Sequence, residues 1–238
     1  MERLKIVLVD DEKAITDICA MYLEHEGYEV FISNDGKDAL EKIKSNSFDL
    51  LVLDLMLPYY TGEEITQIIR KTSTVPIIIL TAKQSEQSKI EGLSIGADDY
   101  ITKPFSMKEL VVRVNTLLRR VRDYNNNYEN MSRSYDYDDG NLKINFEKME
   151  VYKSNKLVVF TTNEFRVLQI LVEHREKVLS REKIIEKLFE DFYEGYDRNI
   201  DTYIKNIRSK IEESSKTPEY VITVYGTGYK FLPHINSE

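Results

Sequence analysis

The sequence predicts an α/β protein of two successive domains: a flavodoxin-like, doubly wound five-stranded parallel sheet, then a smaller α+β domain. Three observations predict it. Residues 1–122 alternate short apolar runs with helical patterns, the rhythm of five βα units that places helices on both faces of a parallel sheet. The rhythm breaks in the stretch RDYNNNYENMSRSYDYDDG, which starts at Arg122, has little apolar periodicity and is rich in Asn, Asp and Ser. Short alternating runs, three helical patterns and a terminal hairpin follow. The divisions are 1–122, a linker at 123–137, and 138–238.

In the first domain, strand-like runs occupy Lys5–Val9, Tyr28–Ile32, Leu50–Leu53, Ile77–Leu80 and Tyr100–Ile101. Helical patterns fill 12–26, 35–45, 62–71, 85–94 and 106–121. Gly27 fits just past the end of the first helix, and Asn34 or Asp35 could cap the second. In the second domain LKINF, MEVYK and LVVF read as a small antiparallel sheet. Helices are expected near 162–174, 181–189 and 198–212, and a hairpin over Val221–Leu232 that turns at Gly226–Thr227–Gly228. Thr161 with Glu164 has capping-box spacing, and Ser180 is a plausible cap for the next helix.

At 238 residues, 42% apolar and 31% charged, the chain can bury two modest cores. One cysteine, Cys19, excludes a disulfide framework and a Cys-rich zinc site; in its apolar helical stretch it reads as a small buried hydrophobe. The N-terminus runs straight into a strand pattern, so no signal peptide is expected, and no apolar run approaches a membrane span. A reducing cytoplasm fits. The net charge is −8, and neither half is basic: residues 1–123 carry 16 basic and 21 acidic side chains, residues 124–238 carry 17 and 20. Any nucleic-acid contact must therefore come from a local patch.

The polar residues gather at strand ends. Asp10 and Asp11 end the first strand, Asp54 the third and Thr81 the fourth, and Lys103 follows the fifth. A doubly wound sheet opens its crevice at those carboxyl ends. Three crowded carboxylates repel, so a hard cation such as Mg2+ suits them. With it, an Asp can attack phosphorus, while Lys103 and Thr81 offer a positive charge and a hydroxyl to the phosphoryl oxygens. A metal-dependent phosphatase with an aspartyl nucleophile would need a second carboxylate two residues on, and position 56 is Met.

The strings IVLVDDE, LLVLDLMLP, IIILTA and GADDYITKPF resemble the receiver domain of response regulators along its whole length. The resemblance implies that Asp54 is the phosphoacceptor. It implies Mg2+ on Asp11, Asp54 and the Met56 carbonyl, with Asp10 direct or through water. Thr81 and Lys103 would contact the phosphoryl group, and Thr81 with Tyr100 would form the switch. The Lys103–Pro104 bond would be cis. The family usually has Gly and Asp where this chain has Tyr59 and Thr61, although Gly62 is kept. In the OmpR/PhoB-type subfamily, Lys89–Glu109, Asp99–Arg113 and Asp98–Arg120 look like ion pairs between protomers of a homodimer, and all six charges have the expected sign.

In the third helix of the second domain Ile200, Ile204, Ile207 and Ile211 form one apolar stripe. At 100° per residue, Arg198, Thr202, Lys205, Asn206 and Ser209 fall opposite, flanked by Arg208 and Lys210. Residues 198–210 hold four basic side chains and one acidic, a helix able to enter a major groove. TTNEFRVLQIL, VLSREKIIEKLF, DRNIDTYIKNIRSKI and TVYGTGYKF resemble the OmpR/PhoB-type winged helix-turn-helix effector. That implies a recognition helix at 198–212 and a wing at 221–232 with Tyr229 and Lys230 near DNA. Two departures are Phe189 for the usual Trp and Tyr225 where Arg is common. The whole implies a regulator phosphorylated by a sensor histidine kinase, which then dimerises and binds promoter DNA in sequence-specific fashion. It would be able to autodephosphorylate without being a dedicated enzyme. RNA polymerase is a further partner open to such a protein. A module binding protein rather than DNA, and a phosphorylation-independent regulator, are the competing readings.

Overall fold

The computed structural model describes residues 3–45, 47–82, 95–127, 134–189 and 200–233, with the backbone alone at 120–127 and 189. The chain divides into two compact units, Met1–Asp123 and Tyr124–Glu238. The first runs β1 (Lys5–Val9), α1 (Lys13–His25), β2 (Glu29–Ser33), α2 (Gly36–Ser45), β3 (Leu50–Asp54), α3 (Gly62–Ile69), β4 (Ile77–Thr81), β5 (Asp99–Thr102) and α4 (Met107–Asn127). Its strands lie in the order β2-β1-β3-β4-β5, every neighbouring pair parallel. Each observed strand lies within one residue of its expected limits. The helical pattern at 85–94 falls outside the described residues.

Alternation along the strands divides the core. Ile6, Leu8, Val52 and Leu80 pack with Cys19 and Leu23 of α1 and with Leu110, Val114 and Leu117 of α4. Val7, Val9, Leu53 and Ile79 pack with Ala39 and Leu40 of α2 and with Ile65 and Ile69 of α3. β3 and β4 are buried at every position, which is why they read as unbroken apolar runs. Each fully buried Leu or Ile contributes about 1.5–3 kcal/mol of transfer free energy. Asp35, not Asn34, caps α2: its Oδ1 accepts from the amides of Lys37 at 2.9 Å and Asp38 at 2.8 Å.

The second unit holds an antiparallel sheet of β6 (Ser134–Tyr137), β7 (Leu142–Asn145), β8 (Glu150–Lys153) and β9 (Lys156–Val158). α5 (Thr162–Glu173), α6 (Arg181–Phe189) and α7 (Ile200–Ile211) follow, then the hairpin β10 (Val221–Val224) and β11 (Gly228–Phe231). The stretch expected to be a linker is structured at both ends. Residues 123–127 continue α4, and 134–137 form β6. The signal was the alternation Tyr135–Asp136–Tyr137, whose second tyrosine is buried. Thr161 and Glu164 form the expected capping box, and Ser180 Oγ accepts from the Lys183 amide at 3.3 Å. The hairpin turns at Tyr225–Gly226–Thr227, one residue earlier than expected. Gly228 opens β11, where a Cβ would lie 2.0 Å from the Leu179 carbonyl oxygen. That close approach lets Leu179 and Tyr229 exchange amide bonds of 2.8 and 2.9 Å, fastening the hairpin to the segment before α6.

Candidate functional site

The carboxyl ends of β1, β3 and β5 bring the expected acids and the lysine together, and Thr81 ends the neighbouring β4. Asp10 follows β1 and is fully buried. Its Oδ1 accepts from the Glu12 amide at 3.0 Å. Asp54 ends β3, and its Oδ1 accepts from the Met56 amide at 3.1 Å, which fixes the carboxylate's orientation. The Lys103 ammonium bridges the two acids, 2.7 Å from Asp10 Oδ2 and 2.6 Å from Asp54 Oδ2. Glu12 stands 3.8 Å from the same ammonium. The lysine is aimed by its own backbone, whose amide donates to the Thr81 carbonyl at 2.7 Å, and the Lys103–Pro104 peptide is cis. Thr81 is buried at the end of β4. Tyr100 is half-buried and packs on the α2–α3 side of the core.

Asp11 is exposed, yet its carboxylate lies with those of Asp10 and Asp54 inside 4.8 Å. Three carboxylates against one ammonium leave a negative surplus. Burial lifts the Asp10 carboxyl above the usual range, against the pull of Lys103 and the Glu12 amide. Burial alone would pull the Lys103 ammonium down; its hydrogen bonds and charge attraction to Asp10 and Asp54 reverse that and hold it above its usual range. The buried Asp10 Oδ2 accepts no well-directed hydrogen bond, although Lys103 is its close neighbour. An all-oxygen donor set, surplus negative charge and an under-satisfied buried carboxylate oxygen together fit a hard dication.

The loop after Asp54 departs from the receiver pattern and closes in its own way. Tyr59 sits at φ +69°, a left-handed conformation that glycine adopts more easily. Thr61 caps α3 and forms a capping box with Glu64, a signal that the Thr-x-x-Glu spacing carries and that the helical periodicity overshadows. Gly62 is required by contact: a Cβ would lie 2.2 Å from the Asp54 carbonyl oxygen.

The response regulator receiver domain model matches residues 6–115, and the model for the C-terminal domain of transcriptional regulatory proteins matches 155–231. The regulatory protein VanRc of Enterococcus gallinarum is 41% identical over 226 residues, covering 94% of this chain and 97% of that protein. VanR of Enterococcus faecium is also 41% identical, over 227 residues, covering 95% of this chain and 97% of its own. The chain is an OmpR/PhoB-type response regulator. Among solved structures, a mutant of RitR superposes with a TM-score of 0.78 at 27% identity, covering 96% of this chain and 98% of that one. The Thermotoga maritima OmpR/PhoB homologue DrrB gives 0.51 at 35% identity, covering 97% and 100%. The response regulator thus joins a receiver to a DNA-binding effector, a pairing that implies a histidine kinase and DNA as partners. Receiver domains bind Mg2+ at an acidic pocket such as the one formed by Asp10, Asp11 and Asp54. No helix among the described residues is long and apolar enough to cross a membrane.

In the effector, α7 buries its isoleucine stripe together with Tyr203. Lys205 and Ser209 are exposed, and Asn206 and Lys230 partly so. Four residues expected to face DNA are buried or bonded within the chain. Thr202 is buried, although its position on the helix is opposite the isoleucine stripe. Tyr229 is buried, its hydroxyl donating to Asp201 at 2.8 Å and accepting from Arg181 at 2.9 Å. Arg208 turns onto the hairpin, its Nε donating to the Val221 carbonyl and its Nη2 to Thr223 Oγ1, each at 2.8 Å; burial draws its pKa below the usual range. Lys210 pairs with the buried Glu164 of α5. Arg198 lies outside the described residues, as does the side chain of Phe189.

Four of the six expected interprotomer charges pair within the chain. Arg113 Nη1 contacts Asp99 at 2.9 and 3.1 Å, and Arg113 Nη2 contacts Glu109 at 2.8 Å. Asp98 is buried; its Oδ2 accepts from Arg70 at 2.8 Å and from the Ile77 amide at 2.9 Å. Asp98, expected to pair with Arg120 of a second protomer, is thus engaged by Arg70 within the chain. The Arg70–Asp98 clamp also includes Arg70 donating to the carbonyls of Gly96 and Val75, and nothing in the local sequence announces it. Lys89 and the Arg120 side chain lie outside the described residues.

Proposed function

We propose that Asp54 accepts a phosphoryl group from a sensor histidine kinase, and that this modification promotes dimerisation and sequence-specific binding of promoter DNA. The observation that carries the reading is the Lys103 bridge between Asp10 and Asp54, with Asp11 alongside. Asp11, Asp54 and the Met56 carbonyl would hold Mg2+, with Asp10 direct or through water. When bound, the ion supplies positive charge that lets an anionic carboxylate approach an anionic phosphoryl group. An Asp54 oxygen attacks phosphorus; the O–P bond forms as the P–N bond to the kinase histidine breaks, and the leaving imidazole takes the electron pair. Lys103 releases Asp54 and follows the charge onto a phosphoryl oxygen. The buried Thr81 hydroxyl then donates to another, with Tyr100 repacking as the two-state element. Autodephosphorylation reverses the acyl phosphate by water attack in the same pocket.

Dimerisation uses the face of Asp99, Glu109 and Arg113, with Arg120 farther along the same helix and Lys89 from the segment before β5; Asp98 keeps its partner Arg70. Lys205, Asn206, Ser209 and Lys230 meet DNA, with Arg198 before them, while Arg208 and Tyr229 brace the hairpin. RNA polymerase is a further partner of the DNA-bound form, and the cytoplasm is where kinase, polymerase and promoter coincide. The chemistry is tested by incubating the chain with a small acyl phosphate and Mg2+ and weighing it intact. One phosphoryl group on Asp54, absent in Asp54→Ala, is expected; equal labelling of both would refute the assignment.

A further inference from the structure

Asp10 and Asp11 stand on a turn that the sheet no longer controls, because β1 and β2 separate just beyond Val9 and Ser33. The Asp10 amide still follows the parallel ladder, donating to the Ser33 carbonyl at 3.2 Å. In a continuing ladder the Asp10 carbonyl would next accept from the peptide N–H of Asp35. The chain has instead turned away into α2, whose first amides bond to the Asp35 side chain. Asn34 fills the gap. Its Nδ2 donates to the Asp10 carbonyl at 2.9 Å and reaches Thr16 Oγ1 at 3.4 Å. The partner is a carbonyl, which only accepts, so the amide must present its nitrogen there. Thr16 is itself buried, its hydroxyl donating to the Lys13 carbonyl at 2.9 Å in the first turn of α1.

We infer that Asn34 is a positioning residue for the cation pocket: a side-chain substitute for the missing ladder donor that fixes the Asp10–Asp11 peptide. Asp10 is held at its amide by Ser33, at its carbonyl by Asn34 and at Oδ1 by the Glu12 amide. Asp11 is exposed, so the peptide before it sets where its carboxylate points. Without the Asn34 bond that peptide can rotate, and two of the three clustered carboxylates lose their common aim. Asn34 touches neither cation nor phosphoryl group; it acts through Asp10 and Asp11, as supporting residues around metal ligands do. The inference rests on the pocket reading above.

The test is calorimetric titration of Mg2+ into the unphosphorylated full chain, as wild type, Asn34→Ala, Asn34→Leu and Asp35→Ala. Leucine keeps the bulk of Asn34 but cannot donate. Asp35→Ala loosens the same loop by removing the α2 cap while leaving the bond to Asp10. Both Asn34 variants are expected to bind Mg2+ about ten-fold more weakly, with unchanged melting temperature in metal-free buffer and Asp35→Ala near wild type. Wild-type affinity in both Asn34 variants would overturn the inference. So would equal weakening in all three, which would assign the effect to the loop as a whole. A wild type that takes up no Mg2+ would overturn the pocket reading itself.

Discussion

At the scale of single residues, Lys103 carries two opposing duties. Its ammonium neutralises Asp10 and Asp54 at 2.7 and 2.6 Å, so it competes with any cation for the same carboxylates. In the proposed mechanism it is also the charge that meets the phosphoryl oxygens. Lys103→Met is therefore expected to tighten Mg2+ binding while slowing phosphorylation by about a hundred-fold or more, as loss of a transition-state donor does. Mg2+ titration and quenched-flow labelling of the same variant separate the two effects. Cys19 gives a second test. It is fully buried against Met107, and burial pushes its thiol up to about 11. The folded chain should resist thiol reagents at neutral pH and react only on unfolding, read as released chromophore against denaturant. Because the folded value is the higher one, this thiol's stabilising effect is complete below its ordinary pKa. It is lost as pH rises toward about 11.

At the scale of elements, caps and close approaches matter more than propensity. Thr61 satisfies the first turn of α3 immediately after the loop that follows Asp54, in a box closed by Glu64 at 2.8 Å from the Thr61 amide. Thr61→Ala is expected to cost about 1 kcal/mol in denaturant unfolding, and Thr161→Ala about as much in the effector. Gly228→Ala is expected to cost more, about 3 kcal/mol, because its Cβ would enter the Leu179 carbonyl and break the bridge that fastens the hairpin. Most elements are legible in the amino-acid pattern, since apolar periodicity and turn residues report burial directly. The ends of the Arg122–Gly140 stretch are not: Asn-rich composition masks the continuation of α4, and a three-residue alternation is too short to outweigh it.

For the whole molecule, the pocket can be read from sequence because its members sit one by one at strand ends, where topology dictates convergence. Asp10, Asp11, Asp54, Thr81 and Lys103 need no side-chain geometry to be placed together. The surfaces are less legible for a physical reason. Whether a charged side chain faces solvent depends on partners brought from distant segments, as Arg70 is to Asp98, Glu164 to Lys210 and the hairpin to Arg208. Sequence position alone treats each as free. The same internal pairing bears on the proposed dimerisation, because Arg113 must loosen from Asp99 or share it if it is to reach a second protomer.

In the proposed function, Asp54 chemistry controls DNA reading by the effector. The most direct measurement is selection of bound fragments from random double-stranded DNA, with and without a small acyl phosphate and Mg2+, for wild type and Asp54→Ala. A repeated motif is expected, with enrichment that rises with the phosphodonor in wild type alone. Enrichment of no sequence in any state, or an equal response in Asp54→Ala, would contradict it.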